Sequence, residues 1–306
     1  MNTCRSVSLA LALCLGGCDL QALVVRASVE ATDEVQRERG LTFPDPEFVG
    51  PIMAESTVVN EGYLYYTPED ERLLMATILA DVAYGTYWLQ SDAADAELAG
   101  DFAKSERLNQ RSSILFARAL VLAKRLMRLW DSDFDAAVAG GEERFQKWID
   151  DKFYEPKDAR VLLTVSAAYG ATLIQSEEGL AAAVDLPFAR AMIERSVELD
   201  PTLEAGLGLV MLGIIECTIP EQMGGRPKVG LKLMERAAEQ EHRQSHSTLV
   251  TMAQRCATAL QDRELFHRLL MEVIEAKDVE KYRLTNKIAR HDAVRLLKQE
   301  DDLFFE

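Results

Sequence analysis

Ala189-Arg190-Ala191-Met192-Ile193-Glu194-Arg195-Ser196-Val197-Glu198-Leu199-Asp200-Pro201 decides the fold. Ala189, Met192, Ile193 and Val197 step by three, one and four, so they share one face of a helix. Pro201 closes that helix, because the residue before a proline is biased away from helical backbone. Arg195-Ser196-Val197-Glu198 is echoed by Arg236-Ala237-Ala238-Glu239 at an offset of 41, and Arg118-Ala119-Leu120 is a weaker, earlier echo. A helix pair cannot bury its apolar face alone, so spaced echoes of this kind point to pairs that stack on their neighbours.

The rest of the chain reads the same way. From about residue 68 onward no stretch alternates with the period of a strand. Thr67 is placed to cap a helix whose first turn holds Pro68-Glu69-Asp70-Glu71 and which runs to about Gln90. Leu115, Ala119, Leu122, Leu126 and Trp130 predict one buried face of a helix over 102–130. Gly140-Gly141 breaks the chain before a short helix ending near Lys152. Further helices are predicted over 157–175, from Asp185-Leu186-Pro187, and over 202–218, 227–239, 247–260, 263–275 and 282–298. The 189–201 stretch resembles the second helix and closing proline of a tetratricopeptide repeat. The expected fold class is therefore all-α, a helical-repeat (tetratricopeptide-like) compact superhelix.

The N-terminus carries an address. Arg5 precedes an apolar run over 7–15, too short to span a bilayer, which ends in Leu15-Gly16-Gly17-Cys18. This resembles a bacterial lipobox, so 1–17 reads as a lipoprotein signal peptide and Cys18 as the lipidated residue. Residues 18–60 are expected to form a lipidated, mostly irregular lead-in, since 43–51 holds three prolines. Residues 61–306 are expected to form the tetratricopeptide-like helical domain. With Cys4 and Cys14 removed and Cys18 acylated, Cys217 and Cys256 remain. Each lies in an apolar helical context, where a buried free thiol is the expectation and a bridge the alternative.

Composition narrows function. The chain has 306 residues and a formal net charge of −16, which disfavours nucleic acid and anionic lipid as partners. Hydrophobic residues are 48 % and charged residues 27 %, as in a folded body rather than a disordered one. Catalytic signals are weak. His242 and His246 are four apart, but no third ligand accompanies them. Gly225 to Lys232 lacks the Gly-Lys-Ser/Thr order of a phosphate loop and reads as a helix-ending glycine pair. No nucleophile motif stands out, and no enzyme, cofactor or metal is expected. Tyr63, Tyr65, Tyr66, Tyr84, Tyr87 and Trp88 cluster early; Tyr84 and Trp88, one turn apart, are the candidate ligand-lining pair, against the plainer reading of helix packing. Asn286 and Arg290 lie one turn apart, and Asn286 is expected to bond the backbone of a neighbouring helix.

Several patterns, in order, carry a family resemblance. They are Asp45-Pro46-Glu47-Phe48-Val49 with Pro51, the aromatic helix over 84–88, Leu212-Gly213, Pro220-Glu221-Gln222-Met223-Gly224-Gly225 and Glu235-Arg236-Ala237. Leu265-Phe266, Leu269-Leu270 and Glu272-Val273 follow, then Asn286, Ile288-Ala289-Arg290, Ala293, Leu296-Leu297 and Asp301-Asp302-Leu303-Phe304. Together, over most of 40–306, they resemble TatT, a tetratricopeptide-like lipoprotein component associated with TRAP (tripartite ATP-independent periplasmic) transporters. The resemblance implies a periplasmic, membrane-anchored accessory protein, a homotrimer, with apolar passages through its helical body. It further implies docking of a periplasmic solute-binding protein and handling of a small hydrophobic ligand. The alternative expectation is a helical-repeat scaffold for envelope protein–protein interactions with no ligand role.

Overall fold

The computed structural model describes residues 21–29, 40, 42–175 and 179–304, with side chains for all of these except 174, 175 and 179–183. The signal segment 1–17 and Cys18 lie outside the described residues. Within them the chain is all helix, with no strand.

Helix α1 spans Pro46–Tyr66. Here the proline-rich stretch departs from the irregular chain expected of it. Asp45 Oδ1 accepts the backbone N–H groups of Glu47 at 3.0 Å and Phe48 at 3.2 Å, which caps the helix. Pro46 fills the first helical position, where the missing N–H has no intrahelical acceptor to lose. Pro51 forfeits one backbone bond a turn later, and the helix continues through it. Thr67 ends α1, its hydroxyl donating to the Tyr63 carbonyl at 3.1 Å. The cap of α2 (Glu71–Tyr84) is therefore Asp70, whose carboxylate accepts Leu73 N–H at 3.1 Å. Two residues of turn separate it from the Thr67 cap expected from sequence.

Helix α2 does not stop at Tyr84. It passes through a π-helical turn, Gly85–Gln90, into α3 (Ser91–Leu98). Helix α4 (Phe102–Trp130) returns along this rod, capped by Asp101, with the predicted bounds and periodicity. Ala119, Leu122 and Leu126 are buried as expected, joined by Phe116, Ala123 and Met127 on the same face. Short helices α5 (Phe134–Ala139) and α6 (Glu142–Lys152) follow, divided at Gly141, whose φ of 82° suits glycine. Phe134, Phe145, Trp148 and Phe188 pack ring to ring at centroid distances of 4.9–6.4 Å.

Helix α7 (Asp158–Gln175) packs on α8 (Gly179–Leu199). The expected start of α8 at Asp185–Pro187 is corrected: Pro187 sits inside the helix. The alanines at 181–183 favour helix strongly enough to outlast one lost backbone bond. Helix α9 (Leu203–Thr218) opens with Glu204, Ala205 and Gly206 in left-handed backbone, then packs on α10 (Pro227–Gln240). Next come α11 (His246–Thr251), a second π turn (Met252–Ala257), α12 (Arg263–Glu275), α13 (Arg283–Lys298) and the single turn α14 (Glu300–Leu303). These bury a second core around Met234, Leu249, Phe266, Leu270 and Val273.

Cys217 and Cys256 are bonded to each other, with Cα atoms 5.0 Å apart. This overturns the expectation of free thiols. The two helical contexts that each looked like ordinary core are brought face to face only by the packing of α9 on the second π turn. An early helix also meets a late one. Ser91 of α3 donates to Asp292 of α13 at 2.8 Å, and Asp95 is bonded to His291 at 2.6 Å and Arg295 at 3.2 Å. Burial raises the Asp95 carboxyl, but those two bonds win and hold it below the usual carboxylate range.

Candidate functional site

The π turn at Gly85–Gln90 inserts an extra residue into the helix and turns the following side chains relative to the preceding ones. It is built where three helices meet. A Cβ on Gly85 would meet a Phe116 ring carbon of α4 at 2.4 Å, so only glycine lets α4 approach. A Cβ on Gly50 would meet the Trp88 indole nitrogen at 2.6 Å, so only glycine lets α1 approach. Trp88 donates its indole N–H to the Pro46 carbonyl at 2.9 Å, which pins the first turn of α1 to the rod.

Tyr84 and Trp88 are brought together as predicted. Their rings stack at a centroid distance of 6.2 Å, and both are half-buried. Tyr84, like Leu115, packs against the small cluster of Leu89, Ala93 and Leu108. Tyr87 meets Trp88 edge-on at 6.4 Å. The other early tyrosines go elsewhere. Tyr63 packs against the N-terminal core, while Tyr65 and Tyr66 point out from the end of α1 and touch each other.

One turn before Gly85, Asp81 is completely buried. Arg118 of α4 donates Nε and Nη2 to its two oxygens, both at 2.7 Å, and Nη2 also reaches the Thr57 carbonyl of α1 at 3.0 Å. The guanidinium thus ties α1, α2 and α4 at one point. Burial outweighs Arg118 and pushes the Asp81 carboxyl up to about 6.

The outer face of α1 is what the sequence reading missed. Phe48, Ile52, Val59 and Tyr66, spaced by four, seven and seven, lie on one side of the helix, and all are exposed. Phe43 stacks on Phe48 at 5.4 Å and extends the stripe, and Val58 and Tyr65 flank it. The stripe runs about 27 Å, from the helical rise. Its signal was present in the sequence as a helical period, hidden by reading the prolines as breakers. Helix α1 has no Lys or Arg and carries Glu47, Glu55 and Glu61, which suits a protein partner better than an anionic membrane.

The other sequence candidates fall apart or become structural. His242 has a left-handed φ of 51° in the turn after α10, whereas His246 begins α11, so the two share no helix face. Among the described residues, no group of three His, Cys, Asp or Glu side chains is placed to hold a metal. The glycine pair ends a helix as predicted. Gly224 is left-handed, and a Cβ on Gly225 would overlap the Ile219 carbonyl. The turn is locked by Glu216, which Arg226 and Arg190 approach to 2.6 and 2.7 Å and, with the Arg226 bond foremost, hold below the usual carboxylate range. Asn286 behaves as expected. It accepts His246 N–H and donates to the Gln244 carbonyl, both at 2.9 Å, and so clamps the start of α11.

No described helix is long and apolar enough to cross a membrane. Comparison with curated proteins returns no match. The profile of the TRAP transporter T-component (TAtT) matches residues 43–304, from Phe43 of the exposed stripe to Phe304, which packs on Phe266 in the second core. That family is a transport accessory and not a known family of enzymes. The match extends over nearly all of the described helices, and the chain belongs to the TRAP transporter T-component family.

Proposed function

We propose that this chain is a periplasmic, non-enzymatic accessory of a TRAP transporter, held at the membrane by lipid on Cys18, that docks the system's solute-binding protein through α1. The exposed apolar stripe of Phe48, Ile52, Val59 and Tyr66 carries this reading. A contiguous exposed apolar face marks an interaction site, and membership of a TRAP transporter component family supports a partner from that transport system. In the proposal, residues 1–17 are the signal peptide, 18–60 the lipidated lead-in with most of α1, and 61–306 the tetratricopeptide-like body, which takes in the end of α1. The packed pairs α7/α8 and α9/α10 are its degenerate repeats. Tyr84 and Trp88, directly behind α1, contribute to the lining for a small hydrophobic ligand handed between the two proteins. Association as a homotrimer belongs to the same proposal.

The test is a crosslinking pull-down of the full chain from its own membranes, compared with an Ile52→Glu/Val59→Glu variant. Both side chains are exposed, so the variant should keep the circular dichroism of the parent. A TRAP-type solute-binding protein should be captured by the parent and lost in the variant. Equal capture by both would remove α1 from the interface. Recovery of envelope-assembly proteins alone, with the transporter present in the input, would favour the scaffold role.

A further inference from the structure

We propose that the groove between α10 and α12 is a binding site for a small amphipathic carboxylate, an apolar body ending in one carboxylate group. This site is separate from Tyr84 and Trp88 and does not depend on the docking role of α1. The groove holds about 530 Å³, within the size range of small-molecule sites. Leu231 of α10 and Leu265 and Leu269 of α12 supply its apolar lining.

The charges around that lining are unbalanced. Three cations, Lys232, Arg243 and Arg268, line the groove beside one carboxylate, Glu235. Arg243 is already committed, donating Nε to Glu272 at 2.6 Å and Nη1 to Glu235 at 2.8 Å. That single positive charge is shared between two carboxylates, so Arg243, Glu235 and Glu272 together carry one net negative charge. Lys232 and Arg268 remain, one on each wall, and neither is paired with a carboxylate among the described residues. In a chain of net charge −16, two unpaired cations facing one groove are a local inversion of sign.

The walls are pre-set. Arg243 joins Glu235 of α10 to Glu272 of α12 across the groove. The Cys217–Cys256 bridge fixes α9, on which α10 packs, to the second π turn, on which α12 packs. A ligand therefore enters a site that needs little ordering. Arg268 presents a planar fork matched to a carboxylate, and Lys232 adds a point charge. A neutral apolar compound would gain nothing from those two groups, and an organic cation would be repelled by them.

The experiment is calorimetric titration of the full chain with octanoate at low ionic strength, with octanol and octylammonium in parallel. Octanoate should bind one-to-one, and the other two at least about tenfold more weakly. A Lys232→Ala/Arg268→Ala variant should lose about tenfold or more in octanoate affinity while keeping its circular dichroism, since both residues are exposed. Should that variant misfold, photolabelling of the parent with a diazirine-bearing octanoate gives an independent readout, expected on 227–240 and 263–275. Absence of octanoate binding, equal binding of octanol, unchanged affinity in a folded double variant, or label placed elsewhere would each overturn the proposal.

Discussion

Replacing Arg118 with Met should be among the most damaging single changes outside the hydrophobic cores. Asp81 has no exposure and Arg118 has 29 %, so the carboxylate is the group left stranded. Removing one partner of a buried ion pair costs about 3–5 kcal/mol, and the lost bond to the Thr57 carbonyl adds about 1 kcal/mol. The pH dependence follows from the raised Asp81 value. A carboxyl whose folded pKa lies above its unfolded one is destabilising when ionised. That contribution is absent below about pH 3.8, the unfolded value, and grows as pH rises through the folded value of about 6. Without Arg118 the folded value climbs further. The loss in Arg118→Met should therefore be plain at neutral pH, where the parent's Asp81 is ionised, and shrink toward about pH 4.5, where Asp81 takes up a proton. Asp81→Leu/Arg118→Met should regain most of the stability, because the stranded charge is gone. Urea unfolding followed by far-UV circular dichroism, parent against variants at both pH values, gives these differences. A loss under about 1 kcal/mol at neutral pH, or one equal at both pH values, would mean that the pair behaves as a solvated surface contact and that the burial argument fails.

Three further outcomes follow from the packing. Gly85→Ala places a methyl 2.4 Å from the fully buried Phe116 ring, which has nowhere to swing; thermal melting should show a loss of about 1–3 kcal/mol. Reducing the Cys217–Cys256 bridge, which spans 39 residues, should cost about 3–4 kcal/mol on the loop-entropy relation, and an unchanged melting midpoint with reductant would contradict its placement in the second core. Ala205→Gly should stabilise the protein by about 1 kcal/mol, since Ala205 holds a φ of 59°; a loss of stability there would show that the left-handed start of α9 is not the resting backbone.

The helical body was legible because its signal is local. The face of Ala119, Leu122 and Leu126 sets α4, and the Gly140-Gly141 break sets the start of α6. Helix α1 was misread because two of its prolines, counted as breakers, stand at the first position and in the second turn, where a helix tolerates them or loses one bond. Neither π turn has a sequence period of its own. The disulfide needed the three-dimensional meeting of α9 and the second π turn. Asn286 was read correctly from chemistry alone, since a buried amide must find partners. The stacked Tyr84 and Trp88 were found by spacing, but the carbonyl that holds Trp88 lies 42 residues earlier. The unpaired cations of the α10–α12 groove sit among charged neighbours in sequence, and only the pairing of Arg243 with both walls isolates them.

The bonds from Ser91 and Asp95 to His291, Asp292 and Arg295 have an evolutionary consequence. An array of stacked helix pairs with free ends lengthens by duplicating a pair, and nothing inside it objects. Here an insertion between α4 and α12 would drive α3 and α13 apart and break every one of these contacts at once. These contacts therefore disfavour the gain or loss of helices between α3 and α13. Relatives that preserve the latch should vary in loops and in sequence but keep the same number of helices between its two jaws.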